Sequence, residues 1–205
     1  MRIGIYSPNW IGDSVIALTF VQSIRAFESD AEIFIICKEW VAGVYQDHPA
    51  INEVLSFSSS QLSGLASNCK IGLSLKKYNF DKFFTLTDSF RSAFILWLSS
   101  AKKRYGYSTQ FRSIFLTDPY MISKENIHRS EKYLKLIEPE SKYSYEPRIH
   151  LSKHELEWAE EEIKQIGFKN PVALFPFSIA SNRTLPNQIL KNWIKGTGNQ
   201  YLVVG

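Results

Sequence analysis

The chain has 205 residues, 44% of them hydrophobic, and a formal charge of +4, enough for one well-formed core and a smaller second unit. The composition is that of an ordinary globular protein, the charge is too modest to call for a nucleic-acid partner, and apolar stretches such as residues 94–98 are far too short to span a bilayer. Cys37 and Cys69 lack C-x-x-C spacing, which favours reduced thiols in a cytoplasmic protein over a metal site, and Met1-Arg2 leads straight into an apolar strand instead of a signal-peptide pattern.

Short runs rich in β-branched and aromatic residues alternate with helical patterns, as expected for βαβ units and a parallel sheet. The spacing predicts strands at residues 2–7, 32–37, 53–56, 82–86 and 103–105, with helices at 13–27, 38–47, 69–77 and 89–98 between them. In the first helix Val15, Leu18, Val21 and Ile24 recur at helical spacing, so that side should pack on the sheet. Residues 56–70 carry Ser58-Ser59-Ser60 and few apolar residues beyond Leu62 and Leu65, which reads as loop or poorly packed helix. After Asp118-Pro119 the pattern is less regular until a helix at 129–137, and Pro139 and Pro147 then bracket a polar connection to His150. Ser152, with Glu155 three residues on, forms a capping box for a helix at 153–166 that stops at Gly167.

A new strand opens at 171–176, followed by a helix at 187–195 and a last apolar run from Tyr201. The fold class is therefore α/β, a parallel sheet with flanking helices over residues 1–150, a connecting helix within 151–170, and the start of a second α/β unit over 171–205. Two strands and one helix bury too little apolar area to offset their ordering entropy. The second unit is expected to be incomplete, or to lean on the first.

The run Tyr6-Ser7-Pro8-Asn9-Trp10-Ile11-Gly12-Asp13-Ser14-Val15 places a carboxylate on the turn between a buried strand and a helix. Ligands of open α/β sheets bind outside the carboxyl ends of the strands, where a helix start offers unpaired N–H groups. Asp13 is thus the first catalytic candidate, and the structural alternative is that it merely caps the helix. Gly12 lets the backbone approach a ligand, while Trp10 either anchors the loop in the core or stacks on a sugar face. Lys76-Lys77, Lys102-Lys103-Arg104 and Arg112 concentrate positive charge that suits an anionic substrate or an acidic membrane surface, unless they form a plain solvated face. No G-x-G-x-x-G follows the first strand and no P-loop occurs. His48, His128, His150 and His154 do not group as metal ligands.

This opening run resembles the N-terminal signature of the ADP-heptose:lipopolysaccharide heptosyltransferases, glycosyltransferase family 9. Further motifs follow in the family's order: Phe80-Asp81-Lys82, Asp88-Ser89-Phe90-Arg91-Ser92-Ala93, Lys103-Arg104-Tyr105-Gly106-Tyr107, Arg112 to Asp118, and His128-Arg129-Ser130-Glu131-Lys132-Tyr133. The resemblance implies a GT-B arrangement of two Rossmann-like domains and an inverting transfer of heptose from ADP-heptose to the lipid-linked inner core of lipopolysaccharide. It makes Asp13 the general base and gives acceptor contacts at Asn9, Trp10, Gly12, Arg91, Arg104 and Arg112. Donor contacts fall at Ser181 and Arg183, although Leu185 stands where the family has Trp and Phe177 where it has Gly. It implies no cofactor or metal beyond the nucleotide sugar, a cytoplasmic location, and peripheral contact with the inner membrane. Lacking most of the donor domain, the chain is expected to transfer weakly or not at all by itself. The alternative is a noncatalytic remnant or glycolipid acceptor-binding module, in which Asp13→Ala leaves affinity intact and there is no rate to lose.

Overall fold

Strand β1 (Arg2–Tyr6) sends Ile3 and Ile5 to one face and Gly4 and Tyr6 to the other, since successive side chains of a strand point opposite ways. Strand β2 (Glu32–Lys38) repeats this with Ile33, Ile35 and Cys37 against Phe34 and Ile36. Both faces are covered, so these strands read as nearly continuous apolar runs. The computed structural model describes residues 1–121, 127–137, 146–178 and 184–204, in two compact units, Met1–Leu151 and Ser152–Gly205. In the first unit β1 and β2 join β3 (Glu53–Phe57), β4 (Lys82–Thr85), β5 (Lys103–Tyr107) and β6 (Asp118–Tyr120). Together they form one wholly parallel sheet of order β3-β2-β1-β4-β5-β6.

Helices α1 (Ile11–Phe27), the single turn α2 (Glu39–Ala42) and, later in the chain, α5 (Arg129–Leu134) supply Leu18, Phe20, Val41 and Tyr133 to the core beneath Ile3 and Ile5. Helix α3 (Leu65–Ser74), extended by a 3-10 turn, and α4 (Phe90–Leu98) cover the other face with Ile71, Leu75, Ile95 and Leu96. These two helices touch at Gly72, where a Cβ would lie 2.5 Å from that of Leu98, so only glycine permits the approach. The expected Rossmann-like parallel sheet with flanking helices is borne out.

Three elements depart from expectation. The edge strand β6 contains Pro119, which an edge tolerates because one side makes no ladder bonds. Helix α3 starts inside the serine-rich stretch read as loop or poorly packed helix, anchored by buried Asn68 and Ile71, and α2 ends at Ala42, five residues short of the predicted stop.

The chain leaves β1 toward β2, whereas β4 flanks β1 on its other side. The loops after β1 and β4 therefore part company at the carboxyl edge, the switch point where such sheets bind ligands.

The second unit contains α6 (Lys153–Ile166), β7 (Val172–Leu174), α7 (Asn187–Lys195) and β8 (Tyr201–Val203), with β7 and β8 parallel. The helix expected as a connector thus groups with this unit. Among its described residues only Leu190 is buried, and Leu174, Phe175, Leu185, Ile189 and Trp193 border an open cavity of about 370 Å³. No helix among the described residues is long and apolar enough to cross a membrane.

Candidate active site

The turn from β1 into α1 is held from below by buried hydroxyls. Ser7 Oγ donates to the Pro8 carbonyl (2.9 Å) and lies 2.6 Å from the Tyr45 hydroxyl, while Ser14 Oγ donates to the same carbonyl (3.3 Å). Above them Trp10 occupies the N-cap position with extended backbone and no side-chain cap bond. Asp13 is therefore not the cap. It is the third residue of α1, near the positive end of the helix dipole, with Oδ1 3.5 Å from Arg129 Nε of α5 and its side chain about a quarter exposed. Trp10 is 61% exposed, so it does not anchor the loop in the core. A Cβ on Gly12 would meet nothing within 4 Å, so no packing within the chain demands glycine there.

The loop after β4 forms the other side of the switch point. Ser89 caps α4 by accepting from the Ser92 amide. Asp88, whose carboxylate is 40% exposed, pairs with Lys132 Nζ of α5 at 2.6 Å and stands 3.6 Å from Arg112. Helix α5 thus sets one cation against each of the two acids, Arg129 on Asp13 in the first turn of α1 and Lys132 on Asp88 in the loop after β4. Arg112, read from the sequence as an acceptor contact, is fully buried. Its guanidinium donates to the carbonyls of Tyr107 (2.7 Å), Thr87 and Ser89 (3.2 Å). An acceptor cannot reach it; it ties the β5 end to the loop that presents Asp88 and α4. Burial pulls its pKa down, and Asp88 opposes that shift.

On the α3–α4 side of the same edge lies a cavity of about 520 Å³ whose walls include Tyr6, Asn9, Lys38, Asn68, Arg91 and Phe94, with no carboxylate among the described lining residues. Burial and the facing Arg91 lower the Lys38 pKa, as expected where two cations share one hollow without an anion. Burial pushes the Tyr6 hydroxyl up to about 12, with Arg91 opposing. Asn9 reaches the cavity on a loop pinned by the Trp40 indole, which donates to its carbonyl at 2.8 Å. Buried Asn68 contributes a side-chain oxygen with no hydrogen-bond partner. This hollow between two helix N-termini suits a polyhydroxylated anion.

Asn9, Trp10, Gly12, Asp13 and Arg91 all lie at the carboxyl edge, but of these only Asn9 and Arg91 line the cavity, while Asp13 faces Arg129 of α5. Arg104 lies elsewhere: its guanidinium donates to the carbonyls of Ala101 and Phe115 (2.7 Å each), toward the start of β5 at the opposite edge. Ser181 and Arg183 lie outside the described residues. Among the described residues no three His, Cys, Asp or Glu side chains group as a metal site. Sequence reasoning missed Lys38, Asn68, Arg129 and Lys132 as site residues. Lys38, the last residue of β2, was open to the rule that pointed to Asp13.

Residues 69–188 match the family model described as Glycosyltransferase family 9 (heptosyltransferase). Lipopolysaccharide heptosyltransferase 2 of Escherichia coli K12 is 24% identical over 126 residues, which is 61% of this chain and 36% of that protein. The chain thus spans little more than a third of that curated relative's length. The glycosyl transferase family 9 structure from Veillonella parvula is similar with a TM-score of 0.82 at 14% identity, covering 98% of this chain and 68% of the other. The structure of E. coli ADP-heptose LPS heptosyltransferase II gives 0.79 at 20% identity, with coverages of 99% and 63%. At these identities the structural likeness speaks for the fold alone.

Proposed function

Because the chain belongs to glycosyltransferase family 9, we propose that its first unit binds a sugar acceptor at the carboxyl edge of the sheet and supplies the base for an inverting transfer of heptose. The donor is ADP-heptose and the acceptor the anionic, lipid-linked inner core of lipopolysaccharide, met on the cytoplasmic face of the inner membrane. The acceptor hydroxyl attacks the anomeric carbon of the donor, the bond from that carbon to the diphosphate breaks, and ADP leaves with the bonding electrons. A free hydroxyl is a poor nucleophile, so a carboxylate must accept its proton as the new bond forms. Asp13 is that carboxylate. Arg129, 3.5 Å away, positions it, and the exposed Trp10 offers a face for sugar stacking. Lys38 and Arg91 hold the acid groups of the acceptor in the cavity on the same edge of the sheet. Ser181 and Arg183 are assigned to the departing diphosphate.

The observation that carries this reading is the placement of Asp13 in the first turn of α1 at the switch point, on the edge that also carries a cation-lined hollow. The test pairs turnover of ADP-heptose with calorimetric binding of an inner-core oligosaccharide. Asp13→Asn should lower the rate by about 10²–10⁴-fold and leave oligosaccharide affinity unchanged, whereas Arg91→Ala should weaken the affinity. Equal, measurable rates for Asp13→Asn and the parent would refute the base. Tight oligosaccharide binding by a parent chain with no turnover would identify an acceptor-binding module instead.

A further inference from the structure

Residues 54–80 and 89–117 contain neither Asp nor Glu. They supply α3 with its 3-10 extension, α4, and the 3-10 turn Arg112–Phe115, which together form the layer over one face of the sheet. Lys70, Lys76 and Lys77 are exposed on this layer, and the bordering carboxylate of Asp81 is neutralised by Lys102 at 2.7 Å. The layer is also aromatic. Phe90, Phe94 and Trp97 stack along α4 with centroids 6.5 and 5.9 Å apart, and Phe115 packs against all three at 5.1–5.6 Å.

Beyond this ladder Phe111 is 95% exposed and Ile114 77% exposed. Gln110 and Phe111 both take left-handed backbone (φ 49° and 56°), which residues other than glycine adopt at a cost, and the Phe111 ring is thereby displayed to solvent. Exposed apolar groups rimmed by charge of one sign mark a contact surface.

We infer that this layer is a docking face for a bilayer surface that carries anionic headgroups. Phe111, Ile114 and the edge of Trp97 reach the headgroup–acyl boundary, while the lysine stems lie along the surface and set their ammonium groups among lipid phosphates. A second copy of the same face does not fit, because it would oppose like charge to like charge. A small soluble anion would make no use of Phe111 or Ile114. The inference adds a specific face to the membrane contact proposed above, and it rests on that reading only for which membrane is met.

The test is sedimentation of the full chain with vesicles of phosphatidylcholine alone and with vesicles that also contain phosphatidylglycerol. Binding is expected only to the second kind and should weaken as salt rises. Phe111→Ser combined with Ile114→Ser should lower the affinity by about tenfold or more, and a Lys70→Ser, Lys76→Ser, Lys77→Ser variant by roughly a hundredfold. Both variants should melt with the parent, since every altered side chain is exposed. Binding to neither kind of vesicle, equal binding to both, or parental affinity in either variant would overturn the docking face. Vesicle binding lost while inner-core oligosaccharide still binds condemns the face alone. A parent that binds vesicles but no oligosaccharide condemns the acceptor site alone.

Discussion

Helix α1 has no side-chain cap and buries eight residues, whereas α6 has a complete capping box, a left-handed glycine at its C-terminus, and no buried residue. The two units differ in the same way. The first closes an apolar layer on each face of a six-stranded sheet, and the second has two short strands and one buried side chain among its described residues. Local signals start and stop a helix, but packing of its apolar side gives it most of its stability. The first unit should therefore unfold as one cooperative block, with the second responding to local changes only.

The largest effect should come from Arg112. Replacing it with Met removes three charge-assisted hydrogen bonds, from the buried guanidinium to the carbonyls of Tyr107, Thr87 and Ser89, at a cost of about 2–4 kcal/mol. Urea denaturation followed by Trp fluorescence measures this, and Arg112→Lys should recover little because an ammonium lacks the guanidinium fork. A cost below about 1 kcal/mol would mean that the loops carrying Asp88 and α4 are held by something else, and the contrast between units would lose its main support.

Next comes the pH response of the first unit. His48 is 3% exposed, its Nδ1 accepts from the Ala50 amide at 3.1 Å, and its ring meets that of His150 edge-on at 4.6 Å. Burial and the neighbouring His150 lower its pKa from 6.5 to about 4. The unfolded chain therefore binds this proton more readily than the folded one. Stability is complete above pH 6.5 and declines as pH falls toward 4, by about 2 kcal/mol at pH 5. His48→Gln keeps an acceptor for the Ala50 amide but does not titrate, so its stability should change less between pH 7 and pH 5. Parallel pH profiles for variant and parent would remove His48 from the account.

Much of this contrast was legible in the residues themselves. The i, i+3, i+4 pattern of α1, the alternating apolar strands and the Ser152–Glu155 pair each state a local preference that the fold respects. Asp13 was found because the strand-turn-helix pattern places it at the carboxyl edge whatever the rest of the chain does. Position in three dimensions was not legible. Arg91, Arg104 and Arg112 look alike as cations in basic surroundings, yet one lines a cavity, one binds carbonyls toward the far edge and one is wholly buried. What separates them is the set of carbonyls each can reach after the sheet has formed. Strand β6 was hidden by Pro119, and the start of α3 by serines that also suit loops.

The smallest effect should be that of Ser152, and it sharpens the contrast most. Its hydroxyl accepts from the Glu155 amide at 3.2 Å, while its own amide donates to the Glu155 carboxylate at 2.7 Å. The Ser152 amide and the Ser152 hydroxyl, which also donates to the carboxylate at 2.8 Å, hold the Glu155 pKa below the usual carboxylate value, so the box survives mild acid and opens only as pH falls through that lowered value. Ser152→Ala removes the hydroxyl and should speed hydrogen exchange in the first turn of α6 by roughly fivefold. Since α6 contributes no buried side chain, the urea midpoint of the first unit should stay where it is. If that midpoint moved with the cap, α6 would have to be coupled to the sheet's core, and the two units would behave as one cooperative structure.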